Sequence, residues 1–186
     1  MTDLANLLPN LCAAWATPFA SRQLPAPVVA ELIVLGDQLV PAQPTAPGEH
    51  RPIPLDAAGG CCYVRRAGPI DLQREPNRNC GTFRVQATVP LRVVALVDLY
   101  DFDCRSLEVG AVLTERLLGA IHAGGAAGAR IEYQRADDDA VRIFTAELGL
   151  PVALPARRGV VALDLQLTVT IDPTCLTACP APTINP

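Results

Sequence analysis

The side chains able to do chemistry are few and lie far apart along the chain. Two serines (Ser21, Ser106) and two histidines (His50, His122) are present. Nucleophilic catalysis needs a serine or cysteine within hydrogen-bond reach of a base that a third group orients. No Gly-x-Ser-x-Gly elbow occurs. Ser106 reads as a helix N-cap, and His122 as a residue near a helix C-terminus, where its charge suits the dipole. His50 sits in a Pro-rich stretch. Cys61-Cys62 and Cys175-x-x-x-Cys179 offer thiolates, but a structural zinc site wants four ligands in paired short spacings, and no histidine accompanies either pair. Asp98, Asp101 and Asp103 offer oxygens to a hard cation without the spacing or glycine of an EF-hand loop. Asp137, Asp138 and Asp139 read as a hairpin tip that resists wrong pairing. Gly124-Gly125-Ala126-Ala127-Gly128 follows a predicted helix, whereas a phosphate cradle follows a strand and opens a helix.

The composition narrows the classes further. Of 186 residues, 50% are hydrophobic, 18% charged and 4% aromatic, so Val, Leu, Ile and Ala must fill the core of one ordinary domain. A net charge of −4 argues against a protein that coats nucleic acid. All 15 basic residues are arginine. GC-rich coding gives that pattern together with abundant Ala, Gly and Pro, and arginine also suits buried and interfacial ion pairs. The missing lysine excludes Schiff-base and Walker-type phosphate chemistry. The acidic start Met1-Thr2-Asp3 is unlike a signal peptide, and no apolar run approaches the ~18 to 20 residues that span a bilayer. The expectation is a cytoplasmic protein with reduced thiols, no membrane partner and no sequence-specific nucleic-acid partner. Cys175 and Cys179 would pair only outside such a compartment.

Positioning elements follow from periodicity. Leu4, Leu7, Leu8, Leu11 and Trp15 recur at three and four, predicting a helix over 3–16 that ends before Pro18. Residues 24–40 are apolar and ambiguous between strand and helix. Residues 41–81 carry repeated Pro and Gly and read as a loop-rich arm or insertion, with one short strand over 61–66. Residues 82–99 alternate over a long strand, with Pro90 midway placing it at an edge or a bulge. A helix is expected over 106–122, a hairpin over 130–135 and 140–148, and a strictly alternating strand over 159–171. The tail, 173–186, reads as extended. The predicted fold class is α+β: a roughly four-stranded, mainly antiparallel sheet with one covering helix, plus an N-terminal helix and a Pro-rich arm. The divisions are 1–40, 41–81, 82–172 as core, and 173–186.

The order long strand (Phe83 to Val97), single amphipathic helix (107–122), hairpin ending in Thr145-Ala146-Glu147-Leu148, and alternating closing strand resembles the tail-terminator and head–tail connector (neck) proteins of tailed phages and contractile particles. The resemblance covers about half the chain, over 82–171, and rests on architecture without a short motif. It implies a non-enzymatic structural subunit that forms a ring, commonly a hexamer, at the head-proximal end of a tail. Its implied partners are copies of itself, the tail tube or sheath, and neck proteins, in a virion or phage-like particle assembled in a bacterial cytoplasm. It implies no catalytic residue and no cofactor. The alternatives are a small metal- or ligand-binding module using the Cys and Asp clusters, and an enzyme of unrecognised type centred on residues 98–103.

Overall fold

A computed structural model describes residues 4–56, 59–76, 83–100, 108–125, 129–149, 154 and 157–171. The fold is α+β. A short 3-10 turn leads into α1 (Leu7–Ala20), whose stripe of Leu7, Leu11, Trp15 and Phe19 is buried at steps of four. Pro18 lies inside this helix and does not end it. Its missing N–H would have bonded the Ala14 carbonyl. Gly124, the last residue of α2 (Val109–Gly124), approaches that same carbonyl; a Cβ there would meet Ala14 O at 3.1 Å and Trp15 Cδ1 at 2.5 Å. Glycine thus lets two helices touch backbone to ring, and Trp15 Nε1 donates to Gly125 O at 2.8 Å across the contact.

Both helices cover one face of a six-stranded sheet. Its order is β1 (Pro27–Val29), β5 (Cys61–Arg66), β7 (Phe83–Asp98), β9 (Arg158–Ile171) and β8 (Ala129–Asp137), with β6 (Asp71–Pro76) also paired to β7. All pairings are antiparallel except β1 with β5. Of the four expected strands three are present, since 140–148 is helical, and the sheet reaches six through β1, β6 and the short strand expected over 61–66, which is β5. Residues 41–81 are thus not all arm: β5 and β6 lie end to end along one side of β7. This also explains Pro90 in a central strand. Ala67 N, in the link between β5 and β6, donates to Pro90 O at 2.8 Å. A strand residue points its N–H and C=O to the same side, so the absent N–H falls in the gap between β5 and β6, where no ladder bond is required.

The remaining strands, β2 (Glu31–Leu35), β3 (Gln38–Ala46) and β4 (Glu49–Pro52), form a separate antiparallel sheet. The second face of the large sheet is half covered. Tyr63, Val94, Leu96, Val160 and Ala162 are buried there beneath Ile143, Phe144 and Leu148 of a third helix, α3 (Ala140–Leu148). Residues 140–148 were expected to be a strand of a hairpin. They are helical because Asp139 accepts from the backbone N–H groups of Val141 and Arg142 as an N-cap, and Gly149 closes the helix in a left-handed conformation. The closing strand alternates only where α3 does not reach. Val160 and Ala162 are buried opposite Val161 and Leu163, whereas Asp164, Gln166 and Thr168 are only partly covered.

Gly60 sits where the chain enters β5, at φ +87°, and a Cβ there would lie 2.1 Å from Leu96 O. Gly48 has a similar φ of +78° in open space. Gly48→Ala is expected to cost ~1–2 kcal/mol, the left-handed penalty alone. Gly60→Ala adds a backbone clash and is expected to cost clearly more in denaturant unfolding; equal costs would show that β5 shifts freely against β7.

Candidate functional site

A dense polar cluster among the described residues lies where α3 meets the second sheet face. Arg65 on β5 stands opposite Arg92 on β7, and Arg92 opposite Asp164 on β9. Two arginines facing each other across a ladder repel. Glu147, in the last turn of α3, resolves this. Arg65 Nε and Nη2 each donate to a different Glu147 oxygen at 2.6 Å. Arg92 Nε lies 2.6 Å from Glu147 Oε1, close in charge but not aimed as a hydrogen bond. Arg92 Nη1 donates to Asp164 Oδ1 at 3.1 Å. The Glu147 side chain is 0% exposed, the two arginines 16% and 15%, and Asp164 35%. Arg65 is held more firmly protonated than usual; burial opposes this, and the Glu147 hydrogen bonds outweigh it.

Both oxygens of Glu147 are engaged and guanidinium does not deprotonate in proteins, so the cluster has no ready proton acceptor or donor. Its chemistry is mutual neutralisation. Tyr63 is buried beside it, and its hydroxyl has no hydrogen-bond partner among the described residues. Burial, then the charge of Glu147, pushes that phenol well above its ordinary range. An open groove of about 620 Å³ borders the cluster, lined among others by Arg65, Arg92, Thr88, Gln134, Asp164 and Gln166.

Those of the residues singled out in the sequence that lie among the described residues are not brought into one site. Ser21 Oγ donates to Pro18 O at 2.8 Å, finishing α1. His50 Nε2 lies 3.0 Å from Glu31 Oε2, tying β4 to β2. His122 occupies the last turn of α2. Asp98 accepts from Tyr100 N at 3.1 Å and lies 3.6 Å from Arg157. Ser106, Asp101, Asp103, Cys175 and Cys179 lie outside the described residues. Cys61 is pushed up to about 11 and Cys12 to about 12 by burial, and fully buried Cys62 higher than usual by the same cause, so none is a ready thiolate. Among the described residues no three His, Cys, Asp or Glu side chains converge as a metal site would require. None of the described helices is long and apolar enough to cross a membrane.

Asp137 and Asp139 are not a hairpin tip. Asp139 caps α3, and Asp137 accepts from both Arg142 Nε and Nη2. The Glu147 cluster is invisible to a reading of residues 140–148 as a strand. On a helix, Ile143 and Glu147 share a face, and a carboxylate on the apolar face signals a buried ion pair.

Removing the charge of Glu147 strands two arginines. Glu147→Gln is expected to lower unfolding free energy by about 3–5 kcal/mol, against less than about 1 kcal/mol for Asp164→Asn at its half-exposed position. Tyr63→Phe removes an unpartnered hydroxyl and is expected to be neutral or stabilising by about 1 kcal/mol. Similar losses for Glu147→Gln and Asp164→Asn would remove Glu147 as the anchor of α3.

The Arg142 hydrogen bonds hold the Asp137 carboxyl below its ordinary 3.8. A carboxylate whose folded pKa is depressed contributes stability that is full above the unfolded value and is lost as pH falls through the folded one. The gap between wild type and Asp137→Asn is therefore expected to be constant from neutral pH to about 5 and to shrink below about 4. An acid-independent gap in urea unfolding would contradict this. No family model matches this chain, and no curated protein matches its sequence.

Proposed function

We propose that this protein is a structural subunit of a phage or phage-tail-like particle, a tail terminator or neck component that works by assembling with its own kind into a ring. The observation that carries this reading is the arm formed by β2 and β3. Its base is anchored: Leu32 packs against the α3 layer, and Ile53 N donates to Pro41 O at 2.8 Å. Its end is apolar on both faces. Val34 pairs with Leu39 on one face and Ile33 with Val40 on the other. Val34 is 72% exposed, Leu35 57% and Leu39 36%. A lone soluble chain gains nothing from such an end, whereas a projecting hairpin with two apolar faces suits insertion into a neighbour.

The fitting receptor is the groove of about 570 Å³ between the start of α1, β1 and β2, lined by Leu4, Leu8, Val29, Leu32, Ile70 and Val89 among others. The groove borders the base of the arm, and the arm's end, Val34 to Leu39, is a different surface, so the contact is head-to-tail, the kind that closes into rings. The internal charges of the Glu147 cluster are spent on holding α3, which leaves surface contact as the work the fold is equipped to do.

The test is assembly. Light scattering and electron microscopy of the purified chain are expected to show closed rings, and co-expression with tail-tube protein is expected to place those rings at tube ends. Leu35→Asp is expected to abolish rings while leaving the thermal midpoint within a few degrees, since its side chain is exposed. A chain that forms no ring at any concentration, alone or beside a tube, would sink the reading.

A further inference from the structure

The outer edge of β8 pairs with nothing among the described residues, and the residue pattern along it is self-complementary. We propose that β8 is a two-fold pairing surface on which a second copy of this chain adds its own β8, antiparallel, to make one continuous sheet. The inference goes beyond the ring reading and rests on different residues.

The argument starts from a bulge. The register of β8 on β9 shifts between Tyr133 and Arg135, leaving Gln134 extra. Before the bulge, Arg130 and Glu132 lie opposite Thr168 and Gln166, on the face away from α1 and α2; after it, Arg135 and Asp137 lie opposite Asp164 and Ala162, on that same face. Without the extra residue, 135 and 137 would turn to the other face. The bulge thus gathers charges of alternating sign, Arg130, Glu132, Arg135 and Asp137, onto one face, with Gln134 between them turned toward Gln166, to whose Oε1 its Nε2 donates at 3.1 Å.

With Gln134 set aside, an antiparallel copy centred on Tyr133 brings Arg130 opposite the second copy's Asp137, and Glu132 opposite its Arg135, each twice by symmetry. Ile131 meets Ala136 on the helix side. Tyr133, 50% exposed despite lying opposite Leu165 of the core face, meets its own counterpart on the axis. An open apolar groove of about 470 Å³ runs beside it, walled by Leu118, Ile121, Ile131 and Tyr133. The second strand closes its outer side.

Charged residues usually defend a sheet edge against pairing. Here the pattern repels most partners and fits its own reverse. The row is neutral within one copy: Arg130 Nε lies 3.0 Å from Glu132, and Arg135 Nη2 lies 3.5 Å from Asp137. The first of these pairs is exposed at both ends, and such pairs contribute little, so partners can be exchanged without stranding a charge. Asp137 is already held by Arg142, which leaves the two Glu132–Arg135 contacts across the axis to carry most of the selectivity.

Charge reversal tests this with the full chain. Sedimentation across a concentration series, in a Leu35→Asp background that removes rings, is expected to show a monomer–dimer equilibrium. Glu132→Arg or Arg135→Glu alone places like charges opposite each other twice and is expected to weaken the dimer by about tenfold or more; the double exchange restores opposite charges and is expected to recover it. Circular dichroism and thermal midpoints close to the parent keep misfolding out of the result. A monomer at every concentration, or a dimer unaffected by the single reversals, overturns the proposal. Either outcome leaves the ring reading intact if the parent chain still forms rings, and loss of rings with the dimer intact overturns only the latter.

Discussion

Two arginines face each other across β5 and β7, and a single buried carboxylate makes that tolerable. Arg65 and Arg92 are held in place by strand register, so neither can move aside. Glu147 must come to them, and it arrives on α3. The position of α3 on the second sheet face therefore follows from charge as well as from the apolar contacts of Ile143, Phe144 and Leu148. Bidentate geometry with Arg65 fixes both the height and the rotation of the helix, which apolar packing alone leaves less defined. A buried ion pair of this kind adds little net stability against an apolar replacement. What it supplies here is a unique seating for a helix of nine residues.

That seating divides the large sheet into two regimes. Where α3 lies, the last third of β7 and the first half of β9 are covered on both faces and carry Val94, Leu96, Val160 and Ala162 turned away from the main core. Beyond α3, the same strands alternate cleanly and present Thr88, Gln166, Thr168 and Thr170 on a face only partly covered by the described residues. The small sheet inherits its position from the covered half. Leu32 of β2 and Ile53, just past β4, pack into the α3 layer, so the base of the arm is seated on the covered half of the sheet.

The α+β class, α1, the long strand β7, α2 and β9 were legible because each carries a sustained period of 3.6 or 2. Of the short elements only β5 was legible, as the strand expected over 61–66. β6 sits among prolines and polar residues, and its strand character comes from the length of β7, which offers a ladder to any segment reaching it. Residues 140–148 carry β-branched and aromatic types that suit a strand, but Ile143, Phe144, Glu147 and Leu148 fall on one helical face, and the Asp139 cap and Gly149 bound the helix. The ion cluster was hidden for the same reason: Glu147 joins Arg65 and Arg92 only when α3 is a helix. Pro90 misled in the opposite direction, since an edge or bulge is the usual reading of a strand proline and a gap between two collinear neighbours is a third solution.

The two proposed contacts differ in symmetry, and this has a consequence for growth. An arm seated in a neighbour's groove joins unlike surfaces and propagates until the rotation closes. A β8 edge meeting its own reverse joins like surfaces and stops at two. A chain with only the first contact risks open filaments if closure is imperfect. A chain with only the second makes dimers and nothing larger. If both proposed contacts form and the β8 two-fold lies perpendicular to the ring axis, the result would be a finite, dihedral particle of two rings. The sequence places the features for the two contacts on separate elements, the Leu35–Gln38 turn and the Gln134 bulge, so each symmetry can be removed without touching the other or the Glu147 cluster beneath α3.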